Sequence, residues 1–452
     1  MRRAFLISQV TFLLGLGVVL VVGDHTRITA DLMRSTVAVN QPIILTFNLP
    51  LKQSSVHVSL IHNGNSIPGS VSWSSNSLAF LPAYNLSYAT SYHLDVTSAS
   101  DTEGHTLAAP LTFNLTTDPA RFLYLTPDGY LKRYDVNAHV STRLTPTADF
   151  VTGYAGDQLF AYHLRATPHV NGLAFLPGTA TAVLYQGTSL FYTLPRICNS
   201  DQDAVLYENY TDANHVPAAR LVTFPSGEYS RRQTLVDGEI WAGSTDLACS
   251  AMGNQVVYRD PPGDTYLSNL QQPDPTLLGT YQAIDGFTPQ GDQLLLSQDQ
   301  GGAGGLFDRL IVSVAANGVA SYIGDTTVDS QDAAYDPAEQ ILAASIDTDW
   351  QDESGQFNIS LYKKQQGALE NYQLPVADGF TDDHPEWALD GGSFTYEHLS
   401  TTYAPNRAQD AFGNLLDAEL YLATVPTSAH LFTANITTTD LGVKGSQVTW
   451  LP

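Results

Sequence analysis

Asp383-His384-Pro385-Glu386-Trp387-Ala388-Leu389-Asp390-Gly391-Gly392-Ser393-Phe394-Thr395-Tyr396 is the stretch whose reading decides the fold. An inner-strand segment closing on Trp387 ends in a Pro/Asp/Gly-type turn at Asp390-Gly391-Gly392, and an apolar strand follows from Ser393. Short apolar runs punctuated by Gly, Pro, Asn and Asp are the pattern of an all-β protein. The pattern returns more weakly at Asp285-Gly286-Phe287-Thr288-Pro289-Gln290-Gly291-Asp292-Gln293-Leu294-Leu295-Leu296 and at Ala334-Tyr335-Asp336-Pro337-Ala338-Glu339-Gln340-Ile341-Leu342-Ala343. Phe150 to Phe160 and Ser244 to Tyr258 read as degenerate copies. The three clearer turns recur at intervals of about 50 residues, the length of one four-stranded repeat unit.

The clear copy resembles the TolB-type propeller repeat, whose core reads Pro-x-Trp-Ser-Pro-Asp-Gly; Ala388-Leu389 stands here in place of Ser-Pro. The resemblance implies a β-propeller over residues 120–452. Seven blades are expected, with six or eight left open because Val170 to Leu235 divides in more than one way. Gln447-Val448-Thr449-Trp450-Leu451-Pro452 looks like the inner strand of a repeat whose remainder is Phe122 to Val136, with Thr126-Pro127-Asp128-Gly129 as its turn. Pairing the last strand with the first blade closes the ring and leaves no open sheet edge there.

Residues 25–117 have a different rhythm. Candidate strands are Ile43 to Phe47, Val56 to Leu60, Leu78 to Leu81, Tyr92 to Val96 and Leu111 to Leu115, with turns at Asn63-Gly64-Asn65 and Glu103-Gly104-His105. This spacing suits a small sandwich of two sheets. Leu45-Thr46-Phe47-Asn48-Leu49-Pro50-Leu51, Leu78-Ala79-Phe80-Leu81-Pro82, Tyr92-His93-Leu94-Asp95-Val96, Asp101 to Leu107 and Phe113-Asn114-Leu115-Thr116-Thr117 resemble the bacterial Ig-like domain of S-layer proteins. That resemblance implies a spacer or stalk and brings no catalytic residues. The fold class is therefore all-β: an N-terminal Ig-like β-sandwich, then a seven-bladed β-propeller, preceded by one N-terminal hydrophobic helix.

The helix is read from Arg2-Arg3 followed by a charge-free run from Ala4 to Gly23. Roughly 20 apolar residues cross a bilayer, and flanking arginines stay on the cytoplasmic side. Residues 1–23 are thus a membrane anchor or a cleaved signal, and either one exports the rest. The net charge is −25, nearly all of it in residues 120–452, where 39 acidic side chains face 15 basic ones. Such a field repels nucleic acid, so no nucleic-acid partner is expected. Cys198 and Cys249, the only two cysteines, either pair or stay as buried thiols. Sequons stand at Asn85, Asn114, Asn209, Asn358 and Asn435.

Chemistry is sparse. Asp347-Thr348-Asp349-Trp350-Gln351-Asp352-Glu353 groups four carboxylates but lacks the Gly and the closing Glu of an EF-hand, and reads as a solvated loop. Thr381-Asp382-Asp383-His384 reads as turn geometry. The 12 histidines show no metal-binding spacing, and neither a Gly-x-Ser-x-Gly elbow nor a phosphate loop is present. Gly301-Gly302-Ala303-Gly304-Gly305 reads as a hairpin loop, and Ser297-Gln298-Asp299-Gln300-Gly301 matches only half of a sialidase-type box. No catalytic, cofactor-binding or metal residue is assigned, and no cofactor is expected. Most of the 23 tyrosines read as core. The expected role is binding or scaffolding at the cell envelope, with a protein or glycan partner on one propeller face and the N-terminal segment in the membrane. The alternatives are a glycan-active hydrolase or lyase, which needs Asp, Glu, His or Arg gathered at the channel mouth, and a structural surface-layer component.

Overall fold

The structure, a computed structural model, describes residues 27–452 except 156–157, 177–180, 189–190, 199–202, 212–216, 226, 239–246, 251–253, 261–263, 272–273, 300–308, 316–319, 323–328, 348–355, 366–367, 402–416 and 427–434. The N-terminal run, the glycine-rich segment at 301–305 and nearly all of the acidic segment at 347–353 lie outside the described residues. Among the described residues no helix is long and apolar enough to cross a membrane. Two compact units divide the chain, one ending at Pro119 and one running from Ala120 to Leu451.

The first unit is a sandwich. One sheet has the order Ala30–Leu32, Ile43–Phe47, Ser77–Pro82, Gly69–Ser74, and the other Thr36–Val37, Leu111–Thr117, Ser91–Ser98, His57–His62, Asn65–Ile67. Only the pairing of Thr36–Val37 with Leu111–Thr117 is parallel. The alternation read from the sequence is what folds it: Tyr92, Leu94 and Val96 point into the core, while Ser91 and His93 face solvent. Ile43, Leu45, Leu60 and Leu78 meet them there, fully buried. Each such side chain contributes about 1.5–3 kcal/mol on leaving water. Gly69–Ser74 is an additional edge strand, almost entirely exposed. Its Gly-Ser-Val-Ser-Trp-Ser sequence has too little apolar contrast to announce it.

Among the described residues the second unit has seven four-stranded antiparallel sheets and is propeller-like. Sheet 1 joins Val140–Arg143, Leu131–Asp135, Arg121–Leu125 and, from the far end of the chain, Ser446–Trp450. Sheets 2 to 7 follow in order over 149–187, 191–238, 247–280, 283–322, 329–373 and 380–444. The C-terminal strand pairs with Arg121–Leu125, Phe122 opposite Trp450 and Leu123 opposite Thr449.

The repeated turn has one geometry. The Gly129, Gly291, Glu339 and Gly391 N–H groups donate to the carbonyls of Thr126, Thr288, Asp336 and Ala388 at 2.8–2.9 Å. All four residues have φ between 54° and 72°. Glycine occupies that left-handed region without a Cβ clash, which is why three of the four copies carry it.

Neighbouring sheets share cores. Leu125 and Leu131 of sheet 1 pack with Val151 and Phe160 of sheet 2, and Leu159 and Leu173 with Leu206 and Phe224 of sheet 3. Val205 and Leu221 meet Leu247 and Val256 of sheet 4, and Val257 meets Leu294 and Leu296 of sheet 5. Leu295 meets Leu342 and Ile346 of sheet 6, while Ala343 and Ile359 meet Trp387 and Phe394 of sheet 7. Sheet 7 returns to sheet 1: Trp450 Nε1 donates to the Glu386 carbonyl at 3.0 Å, and the Tyr134 hydroxyl to the Leu441 carbonyl at 3.2 Å. Cys198 and Cys249 are joined by a disulfide between the first strands of sheets 3 and 4.

Candidate functional site

The first strands of sheets 2 to 7, together with Ser446–Trp450, lie side by side in sequence order. The Tyr154 hydroxyl of sheet 2 reaches the Leu123 carbonyl at 3.3 Å and also the Gln447 carbonyl. Six of these seven strands break register against their partners, at Val151/Gly153, Thr193/Arg196, Ile284/Gly286, Gln331/Ala334 and Asp383/Glu386, and where Ser446–Trp450 meets Leu123/Leu125. A bulge inserts an unpaired residue and re-aims its side chain. The residues so placed include Asp285, Asp332, His384 and Gln447, and the last three are left-handed, with φ of 49°, 51° and 55°. Non-glycine residues rarely adopt this conformation, and it concentrates at functional sites.

These bulges gather carboxylates around one imidazole. His384 Nε2 lies 3.8 Å from Asp332 Oδ2, and Nδ1 lies 3.8 Å from Asp383 Oδ2 and 3.9 Å from Glu397 Oε2. Glu397 is held from the next sheet, where the Gln447 N–H donates to Oε1 at 3.1 Å. Asp285 accepts from the Ser297 hydroxyl at 3.1 Å. The His384 side chain keeps half of its surface open, whereas that of Glu397 is 6 % exposed.

Electrostatics follow from this crowding. Burial drives the Asp332 carboxyl well above its usual range; the Asp383 and Asp285 charges and a hydrogen bond to Asp383 add to the rise, and His384 opposes it. Burial alone would lower the His384 imidazole, but Asp332, Asp383, Glu397 and Asp285 together outweigh it and hold the group up to about 10. Burial also pushes Glu386 up to about 7, against the Arg196 guanidinium.

Asp332, Asp383 and His384 each offer a ligand atom, and these atoms lie within 4.8 Å of one another. Thr381-Asp382-Asp383-His384 is therefore not a turn corner: all four residues belong to the strand Phe380–Trp387. Thr381 and Asp382 are structural, Thr381 accepting the Phe357 N–H on its hydroxyl at 2.8 Å. Asp382 is buried and accepts a 2.5 Å bond from His398 Nδ1, whose ring stacks on Phe380. Asp332 went unassigned in the sequence. The available signal was phase, because Asp285, Asp332 and His384 each precede a repeated turn by four or five residues. The tyrosines are mainly core, as expected, with Tyr124, Tyr134, Tyr154, Tyr207, Tyr258 and Tyr396 all buried.

Residues 26–117 match the bacterial Ig-like domain family. No curated protein sequence matches the chain. Among solved structures the chain is similar to a protein described as a putative TolB from Agrobacterium tumefaciens, at 14 % identity over 60 % of this chain and 94 % of that one, with a TM-score of 0.40. It is also similar to an oligogalacturonate lyase in complex with manganese, at 16 % identity over 67 % and 88 % of the two chains, with a TM-score of 0.45. An oligogalacturonate lyase from Vibrio parahaemolyticus scores alike, at 12 % identity over 68 % and 92 %, with a TM-score of 0.45. None of these structural likenesses carries a functional argument.

Proposed function

We propose that the chain is an exported binding protein of the cell envelope. In this reading residues 1–23 deliver or anchor it in the membrane, the Ig-like unit is a spacer, and the propeller-like unit is a closed seven-bladed ring that takes a protein or glycan partner at its channel mouth. Nucleic acid is excluded by the net charge of −25. The observation that carries the reading is the convergence of Asp285, Asp332, Asp383 and His384 from adjacent inner strands, and of Glu397 from the second strand of sheet 7, onto one spot. A ligand recognised there is polar and hydrogen-bonding, because the described tyrosines are mostly committed to the core.

The test is binding of the full chain to purified envelope polysaccharide and to envelope proteins, measured with wild type, Asp285→Asn and Glu397→Gln. Saturable binding by wild type, weakened in both variants, supports the reading. Undiminished binding in both variants places the partner elsewhere and defeats it. Glu386, raised to about 7 near Arg196, favours a second reading, a glycan-active lyase or hydrolase, since a general acid–base group works best with a pKa near the working pH. New reducing or unsaturated ends appearing in the same polysaccharide incubation, and lost in Glu386→Gln, would select that reading.

A further inference from the structure

The hairpin that joins His57–His62 to Asn65–Ile67 in the Ig-like unit carries chemistry that neither a spacer role nor partner recognition uses. His62 stands opposite Asn65, so Asn63 and Gly64 are the two turn residues, with φ of 48° and 80°. Positive φ at both is the type I′ turn that Asn-Gly favours between antiparallel strands. The hydrogen bond that closes such a turn joins the residues on either side of it, which leaves the Gly64 N–H out of the ladder. Both turn residues are exposed, and a Cβ added at Gly64 would meet nothing within 4 Å among the described residues. An open glycine nitrogen therefore stands next to an asparagine amide carbon.

A second observation singles out this pair. His62 Nδ1 lies 3.0 Å from the Ser91 carbonyl and donates to it, which leaves Nε2 of the neutral ring as an acceptor. Asn63 Nδ2 donates to that Nε2 at 2.9 Å. The ring also packs on the buried Tyr92, with centroids 5.0 Å apart, so it is held against the nitrogen that deamidation expels. Once protonated, Nε2 presents its hydrogen to that nitrogen. Asn171-Gly172 has the same sequence but is held differently. It lies within Thr167–Phe175, and Gly172 is paired on one side with Tyr162 and on the other with Gln186. Asn317-Gly318 lies outside the described residues.

We propose that Asn63 is a self-modification site, deamidated through attack by Gly64 with His62 as general acid. The Gly64 nitrogen gives its proton to water and bonds to Asn63 Cγ, pushing the carbonyl electron pair onto Oδ1. As that carbonyl re-forms, the Cγ–Nδ2 bond breaks, Nδ2 takes the proton from His62 Nε2, and ammonia leaves. The proton released at the start restores the imidazolium. Water then opens the cyclic imide at either carbonyl, giving an aspartyl or an isoaspartyl residue. Both products put a carboxylate into residues 63–92, which hold no Asp, Glu, Lys, Arg or His. The isoaspartyl form also lengthens the main chain inside a two-residue turn, which loosens the pairing of His62 with Asn65 and the burial of Ile67.

The test ages the full chain, purified in detergent, at neutral pH and follows Asn63 and Asn171 by peptide mapping, with isoaspartate identified by electron-transfer fragmentation. Asn63 should deamidate at least about tenfold faster than Asn171, whose ladder must open first. His62→Gln cannot deliver the proton and should slow Asn63 at least about fivefold, a modest share of what a positioned general acid contributes. A ring that only braces the turn predicts the reverse, because a loosened turn cyclises faster. Near-UV circular dichroism checks folding, and His62→Ala serves if the glutamine variant does not fold. Asn63 no faster than Asn171, or a rate unchanged or raised in a folded His62 variant, would overturn the proposal.

Discussion

Replacing both Cys198 and Cys249 with alanine tests how far the disulfide constrains the unfolded chain. The bond closes a loop with a sequence separation of 51 and ties the first strand of sheet 3 to that of sheet 4. Chain-entropy reasoning gives about 14 cal/mol/K for a loop of that length, or about 4 kcal/mol at 25 °C. The second unit has roughly 330 residues, and an unfolding entropy near 2.1 cal/mol/K per residue converts 4 kcal/mol into a fall in Tm of about 6 °C. Alanine is preferred to serine because Cys198 is buried against Val205 and Leu221, where a new hydroxyl would lack a partner. The assay is thermal unfolding followed by circular dichroism at a fixed scan rate, with thiol counting on the native and denatured wild type. Two reactive thiols in the denatured, unreduced wild type would show that the bond is absent. An oxidised wild type that melts within about 1 °C of the variant would refute the entropy reasoning itself.

Three further outcomes are expected. Glu208 is fully buried between Arg220 Nε at 2.5 Å and Arg232 Nε at 2.9 Å, with the Tyr229 hydroxyl donating to it, so Glu208→Gln should cost about 3–5 kcal/mol by leaving two guanidinium groups short of a counter-charge, read as a lower urea midpoint. Trp450→Ala should cost about 3–5 kcal/mol and speed amide exchange in both Arg121–Leu125 and Phe380–Trp387, since the indole packs on Phe122 and bonds to Glu386; an effect confined to the first strand would mean that sheets 1 and 7 are not coupled. In the Ig-like unit, burial works against the Asp101 charge, but the His105 side chain and the His105 and Gly104 N–H groups outweigh it and hold the carboxyl below its usual 3.8. A depressed folded pKa gives stability that is present above about pH 4 and lost as pH falls through the folded value, so Asp101→Asn should flatten the acid limb of the unfolding profile, and an unchanged limb would contradict this.

The fold was legible wherever a local rule carries it. Period-two alternation located Tyr92 to Val96, and the Pro/Asp/Gly turns located sheets 5, 6 and 7, because a left-handed turn residue leaves a trace in the sequence. Sheet 3 left none: Cys198 to Asp203 joins its first two strands without Gly or Pro, which is why the blade count stayed open. The C-terminal strand was readable because Trp450 ends it as Trp387 ends its counterpart. The site was not legible, since Asp332 and His384 lie a whole repeat apart and meet only because bulges turn each out of its strand. A bulge depends on a partner strand's register, which no single segment encodes.

The titration of His384 in the metal-free full chain, followed by NMR of histidine-labelled protein and assigned with His384→Gln, tests most directly whether the inner strands converge as described. With Asp332, Asp383, Glu397 and Asp285 around it, the imidazole should stay protonated through neutral pH and titrate at about 10. A value near the ordinary 6.5 would mean that the four carboxylates do not surround it.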